Sequence, residues 1–162
     1  MKSHKVESIE SKSGELIVEV IKKESGKKIP VVTLNRPKAL NSLTLVQVRE
    51  MVPLYRNWMN DSDVEMIILG SQGDRAFCAG GDIRDLYESG KDGTPGLINR
   101  QFTYEEYQLN YLIKTMNKPH VAMINGITMG GIKKKFFCFF VFFLFYFNFL
   151  FCFLGGVKFL KF

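Results

Sequence analysis

Ala76 to Ile83 reads AFCAGGDI, and Lys118 to Gly131 reads KPHVAMINGITMGG. Each stretch runs an apolar segment into paired glycines, with a helix expected beyond. Small residues at such a turn let a ligand come close to the main chain. The free N–H groups at the start of a helix favour negative charge. One such turn is common in proteins of every kind. Two in one domain can aim two amides at one carbonyl oxygen, the geometry of an oxyanion hole, where losing one donor costs about 100- to 1,000-fold in rate. Neither stretch has the GxGxxG spacing of a dinucleotide-binding turn.

The flanking sequence supplies the scaffold. Glu15 to Ile21 (ELIVEVI) alternates and is β-branched, and Ile29 to Leu34 (IPVVTL) is a second strand, so a hairpin is expected across Lys22 to Lys28. Asn35-Arg36-Pro37 ends it, because proline cannot continue a ladder. Thr44 is the expected N-cap of a helix running to about Asn60, with Val48, Met51, Val52, Tyr55 and Met59 at helical spacing. Pro53 inside that run predicts a kink or a tight start. Val64 to Leu69 reads as a strand, Ile83 to Glu88 as a helix and Ser89 to Gly96 as a loop. Tyr104 to Asn117 reads as a helix whose tyrosines pack inward, and His120 to Ile124 as a buried strand. The order strand, strand, helix, strand, helix, helix, strand gives an α/β class.

Composition divides the chain of 162 residues in two. Residues 1–131 hold all 16 acidic and 17 of the 22 basic residues, a net charge of +1. Residues 132–162 carry the rest of the basic residues, no acid and 13 of the 15 phenylalanines. The overall +6 is therefore mostly a property of the tail and argues against a nucleic-acid partner, which needs a basic face on the folded part. Cys78, Cys138 and Cys152 show no zinc-site spacing, and no metal is expected. One body cysteine fits a reduced, intracellular compartment. Met1 to Lys12 lacks an apolar core, so it does not read as a secretory signal; with no Arg and with Glu7 and Glu10 it is a weak mitochondrial presequence.

The tail runs from three lysines (Lys133 to Lys135) into Phe136 to Leu154, 19 residues whose polar member is Asn148. Its length suffices for a bilayer core of about 30 Å, so a membrane partner is expected only if the segment is genuine protein. Lysine and phenylalanine runs are also what A-rich and T-rich DNA encode, and Gly131-Ile132 permits an intron-like GTAT junction. The expectation is that 132–162 is intron-derived or mis-predicted. Three segments follow: 1–14 as an N-terminal extension, 15–131 as a partial domain and 132–162 as the tail.

Val32 to Leu43 (VTLNRPKALNSL), AFCAGGDI and KPHVAMINGITMGG occur in the order and spacing of the crotonase (enoyl-CoA hydratase/isomerase) superfamily, and residues 15–131 resemble that family. Glu105-Glu106-Tyr107, Leu109-Asn110 and the wording ITMGG resemble its 3-hydroxyisobutyryl-CoA hydrolase branch, of which this chain would be a front part. The resemblance implies a crotonase-type ββα spiral, N-terminal part only, and an acyl-CoA thioester as substrate, CoA being part of that substrate and no separate cofactor being needed. It also implies Gly81 and Gly131 as oxyanion-hole amides, Glu106 as a substrate-contacting carboxylate and Lys38, Ala39 and Leu40 as lining for the CoA end. Ala79 and Asp82 share the Gly81 turn, Asp82 as a cap of the next helix. Members are usually mitochondrial, in some lineages peroxisomal; a cytoplasmic location is the other alternative, and the oligomeric state is open.

The sequence departs from the family pattern after Gly131. Ile132 stands where a third glycine belongs, and no Asp or Glu follows Glu106. A hydrolase must activate water or attack with a carboxylate, so the chain as written is expected to turn over poorly. A hydratase or isomerase on the same scaffold, or a non-catalytic membrane-attached fragment, are the alternatives. His120 is expected to be a core or edge histidine, His4 to lie in a mobile terminus, Cys78 to be a small buried residue, and Trp58 to pack.

Overall fold

The computed structural model describes residues 4–91 and 97–129, the side chains of 97 and 98 excepted. Gly131, Ile132, the phenylalanine-rich tail and most of the 89–96 loop lie outside the described residues.

Strands β2 (Leu16–Lys22) and β3 (Lys28–Leu34) form the expected hairpin. Their inward residues pair directly, Leu16 with Leu34 and Val18 with Val32, all buried. A strand not foreseen in the sequence, β1 (Lys5–Ile9), adds antiparallel to β2, so residues 5–9 of the N-terminal extension belong to the sheet. Its Lys5 and Glu7 suit an exposed edge, where charge discourages pairing with another chain.

Helix α1 (Leu45–Asn60) opens on a full capping box. The Gln47 N–H donates to Thr44 Oγ1 (3.2 Å), and the Thr44 N–H donates to Gln47 Oε1 (3.0 Å). Val48, Met51, Tyr55 and Trp58 form its buried stripe. Pro53 neither ends nor starts the helix; it sits mid-helix on the exposed side, where water can serve the carbonyl that loses its partner.

Strand β4 (Ile67–Ser71) begins later than the sequence predicts and includes Gly70. The parallel register against β3 sets this, pairing Thr33 with Gly70 and Leu34 with Ser71. Strand β5 (Ala76–Cys78) precedes the first glycine turn, and α2 (Ile83–Glu88) follows it. Helix α3 (Leu97–Thr115) leads to β6 (His120–Ala122), which pairs parallel to β4, and β7 (Ile127–Thr128) ends the described chain. The main sheet runs β1-β2-β3-β4-β6, and β5 and β7 form a small parallel pair.

The core side of α3 is Phe102 and Leu109, continued by Met116 just past the helix end, all buried. The tyrosines expected to pack there face away: Tyr104, Tyr107 and Tyr111 are 66%, 52% and 68% exposed. They lie half a helical turn from the Phe102–Leu109–Met116 stripe. Trp58 is buried as expected, against Tyr55. His120 is a core residue, 3% exposed, with Nε2 at 2.9 Å from the Tyr55 hydroxyl and Nδ1 without a partner. Burial pushes its pKa down to about 4, so the ring is neutral at pH 7.

Candidate acyl-thioester site

The site is built where β5 ends. Gly80 has φ +87°, a left-handed conformation open to glycine. A Cβ on Gly81 would stand 2.9 Å from Phe102 Cε1, so the α3 ring is seated directly on the turn. The other side of the turn is bound to the Arg36–Thr44 loop. The Ala79 N–H donates to the Leu40 carbonyl (3.0 Å), Leu43 N–H to the Gly80 carbonyl (2.8 Å) and Asp82 N–H to the Leu43 carbonyl (2.9 Å). Leu43 and Gly81 thus form a parallel bridge in which the Gly81 N–H points away from the loop. Among the described residues it has no acceptor. Asp82 caps α2 as expected, its Oδ1 accepting from the Asp85 N–H (3.2 Å).

The second glycine stretch is fastened beside the first. Residues Ala76 and Ile127, then Cys78 and Thr128, are partners in the β5–β7 pair. The Ile127 N–H donates to the Arg75 carbonyl (3.1 Å) and the Met129 N–H to the Cys78 carbonyl (2.8 Å). Asn125 Nδ2 donates to the Gly73 carbonyl (2.6 Å), and the Ser71 hydroxyl donates to Asn125 Oδ1 (2.8 Å). Gly126 is required by proximity: a Cβ there would fall 2.7 Å from the Arg75 carbonyl oxygen.

Glu106 lies one helical turn beyond Phe102, half-buried, with no ion-pair or hydrogen-bond partner among the described residues. Burial raises its carboxyl above the ordinary value. Its neighbour Glu105 is paired with Arg49 at 2.8 and 2.6 Å, and that hydrogen bond lowers its pKa. Burial pushes the Cys78 thiol up to about 11, against the pull of the Gly80 amide and with a further push from the charge of Glu106. A thiol held protonated at neutral pH is no nucleophile.

Lys38 and Ala39 lie in a 3-10 turn, Pro37–Ala39, followed by Leu40 and Asn41, both at φ +53°. Lys38 is exposed beside a hollow of about 250 Å³ that Gln72, Asp74 and Arg75 also line. The structure therefore joins Leu40 to Ala79 and Leu43 to the Gly81–Asp82 turn, places Glu106 near Cys78, and leaves Lys38 exposed. No group of three His, Cys, Asp or Glu residues suited to a metal occurs among the described residues.

Sequence reasoning passed over the residues that hold this assembly. Asn41, 1% exposed, accepts the Arg36 N–H (2.9 Å) and donates to the Gln72 (2.9 Å) and Ala76 (2.8 Å) carbonyls. Arg36 reaches Asp82, Ser42 and Glu15. In the sequence Arg36 served only as part of a strand stop, and nothing in its spacing signals a partner 46 residues away.

A crotonase-type fold with a glycine turn of this kind defines the class, and the sequence profile of the enoyl-CoA hydratase/isomerase family matches residues 29–131; the chain belongs to that family. Its matched part is 53% identical over 104 residues to the 3-hydroxyisobutyryl-CoA hydrolase, named as mitochondrial, of Danio rerio, covering 64% of this chain and 27% of that protein. Against the hydrolase of the same name from Homo sapiens identity is 48% over 101 residues, 62% of this chain and 26% of the relative. The crystal structure of an enoyl-CoA hydratase from Rhodobacter sphaeroides superposes with a TM-score of 0.61 at 33% identity, over 69% of this chain and 32% of that one. The chain spans about a quarter of the length of the curated relatives it matches.

Proposed function

We propose that residues 15–131 are the acyl-CoA-binding and carbonyl-polarising part of a 3-hydroxyisobutyryl-CoA hydrolase, with Gly81 and Gly131 as the two amide donors to the thioester oxygen. The observation that carries this is the β5–β7 pairing. Cys78 and Thr128 are partners. Gly81 follows Cys78 on the turn, and Gly131 follows Thr128 by three residues in the sequence. The Gly81 N–H, turned away from its own loop and without an acceptor among the described residues, supplies one of the two hydrogen bonds such a site needs.

In this reading Lys38, Ala39 and Leu40 line the CoA end, Ala79 and Asp82 shape the turn, and Glu106 contacts the acyl group as the last carboxylate of the sequence. Hydrolysis of 3-hydroxyisobutyryl-CoA gives 3-hydroxyisobutyrate and CoA. Binding and carbonyl polarisation are the functions these residues support. The names of the relatives favour a mitochondrial site of action. Among the described residues no helix is long and apolar enough to cross a membrane. A second reading, an enoyl-CoA hydratase or isomerase, is favoured by the likeness to the Rhodobacter sphaeroides hydratase.

The test uses the full chain with 3-hydroxyisobutyryl-CoA and with crotonyl-CoA. Calorimetry measures binding; a thiol reagent reads released CoA, and enoyl absorbance reads hydration. Binding of both esters with thiol release from the first alone is the expected outcome. Loss of enoyl absorbance without thiol release selects the hydratase reading. Failure to bind either ester rejects both.

A further inference from the structure

We propose that Arg36 is a positioning residue: it fixes the direction of the Gly81 N–H by locking Asp82 to the loop that carries Lys38 to Leu40. The inference rests on Gly81 being a carbonyl-oxygen donor.

Arg36 is one-fifth exposed and spends its donors on three partners. Its Nη2 meets Asp82 Oδ2 at 2.9 Å, its Nη1 donates to the Ser42 carbonyl (2.8 Å) and to Ser42 Oγ (3.1 Å), and its Nε meets Glu15 Oε1 at 3.3 Å. Ser42 Oγ in turn donates to Asp82 Oδ2 (3.2 Å). Asp82 therefore holds the Arg36 guanidinium, the Ser42 hydroxyl and the Asp85 amide at once. Burial alone would raise its pKa, but these bonds, led by Arg36, hold the carboxyl below its ordinary value.

The consequence follows from adjacency. The Gly81 N–H lies in the Gly80–Gly81 peptide plane, whose carbonyl accepts from the Leu43 N–H (2.8 Å), and that Leu43 N–H shares its own peptide plane with the Ser42 carbonyl that Arg36 Nη1 holds. The start of the turn is fixed by the Ala79 N–H on the Leu40 carbonyl. Gly80 and Gly81 have no side chain to limit rotation, so if Leu43 and Asp82 shift, the Gly81 amide can swing. A planar guanidinium that spreads its donors over Asp82, Ser42 and Glu15 is a restraint that a single lysine cannot copy. The Glu15 bond extends the restraint to the sheet, since Glu15 also accepts from the Thr44 hydroxyl (2.6 Å) at the cap of α1. A ligand's CoA end on Lys38 to Leu40 and its carbonyl at Gly81 would thus meet one rigid body.

The test compares the full chain with Arg36→Met, Arg36→Lys and Ser42→Ala. Isobutyryl-CoA labelled with carbon-13 at the thioester carbonyl is bound, and the carbonyl stretch is read by difference infrared spectroscopy beside CoA affinity and thermal midpoint. The wild-type chain is expected to shift the stretch to lower frequency. Arg36→Met should lose most of that shift while binding CoA within about threefold of wild type. Arg36→Lys should recover part of it, and Ser42→Ala should lose a smaller part. If Arg36→Met fails to fold, the lysine and alanine variants decide by the same order. An undiminished shift in variants that bind the ester overturns the role of Arg36 and leaves Gly81 as donor. No shift in the wild-type chain overturns the donor reading and this inference with it.

Discussion

The two sides of the Cys78–Asp82 turn differ in how their polar groups are used. Toward the Arg36–Thr44 loop, the amides of Ala79 and Asp82, the Gly80 carbonyl and the Asp82 carboxylate all have partners, most at 2.8–3.2 Å. Toward α3, the Gly81 N–H and the Glu106 carboxylate have none among the described residues. Buried polar groups are ordinarily satisfied, because an unmet one costs about 1–3 kcal/mol. The first side therefore supports the fold, and the second leaves two polar groups without a protein partner among the described residues. Substitutions should separate the two: stability should fall on the first side, and on the second it should hold or rise.

The largest effect is expected at the seam that joins the glycine stretches. Gly126→Ala brings a methyl group within 2.7–2.9 Å of Arg75 O, Arg75 C and Ala76 N, all backbone atoms that cannot turn aside. The cost should reach about 3 kcal/mol, the upper part of the range for overpacking. Urea unfolding measures it, and ester binding should be lost with the β5–β7 register. An unchanged unfolding midpoint would show that β7 can lift off β5 freely, and the joining of the two glycine stretches at this seam would lose its support.

How much of this was legible in the sequence differs by element. The β2–β3 hairpin, the Thr44 cap and α2 have local signals: alternation, a Thr-x-x-Gln box, an Asp at a helix start. Strand β1 was missed because KVESI shows little hydrophobic alternation and gains its place by pairing with β2. Strands β5 and β7, three and two residues long, were missed because neither is a pattern until the other lies beside it. The tyrosines of α3 were misassigned because an aromatic at helical spacing does not reveal which face meets the core. Gly81 and Glu106 were singled out through family resemblance, and Asp82 through its place at the start of a helix. Arg36 and Asn41 escaped because their work is done across long sequence separations.

Asn41→Ala tests the first side from behind. It removes a buried amide with three hydrogen bonds and leaves alanine at φ +53°. The lost bonds and the left-handed backbone should together cost about 2–3 kcal/mol. Asn41→Gly relieves the backbone cost and should recover about 1 kcal/mol of it, as chemical denaturation can measure. If the two variants are equally stable, the side-chain bonds alone hold the loop.

The smallest effect, and the one of opposite sign, is expected at Glu106. Its carboxyl is raised by burial with no compensating partner among the described residues. The folded chain therefore holds this proton more tightly than the unfolded chain does, and ionisation works against folding. Below the ordinary carboxyl value the group is protonated in both states and exacts nothing. As pH rises through the folded value the penalty grows to its full size and stays there. Glu106→Gln removes that charge at nearly constant shape. At pH 7–8 the midpoint should rise by roughly 2–4 °C, the change that about 1 kcal/mol gives in a domain of this size. At pH 4 the difference between variant and wild type should vanish, and protonation of His120 affects both proteins alike. A loss of stability at neutral pH, or a gain that ignores pH, would show that Glu106 has a structural partner. The contrast between the two sides of the turn would then fail at Glu106.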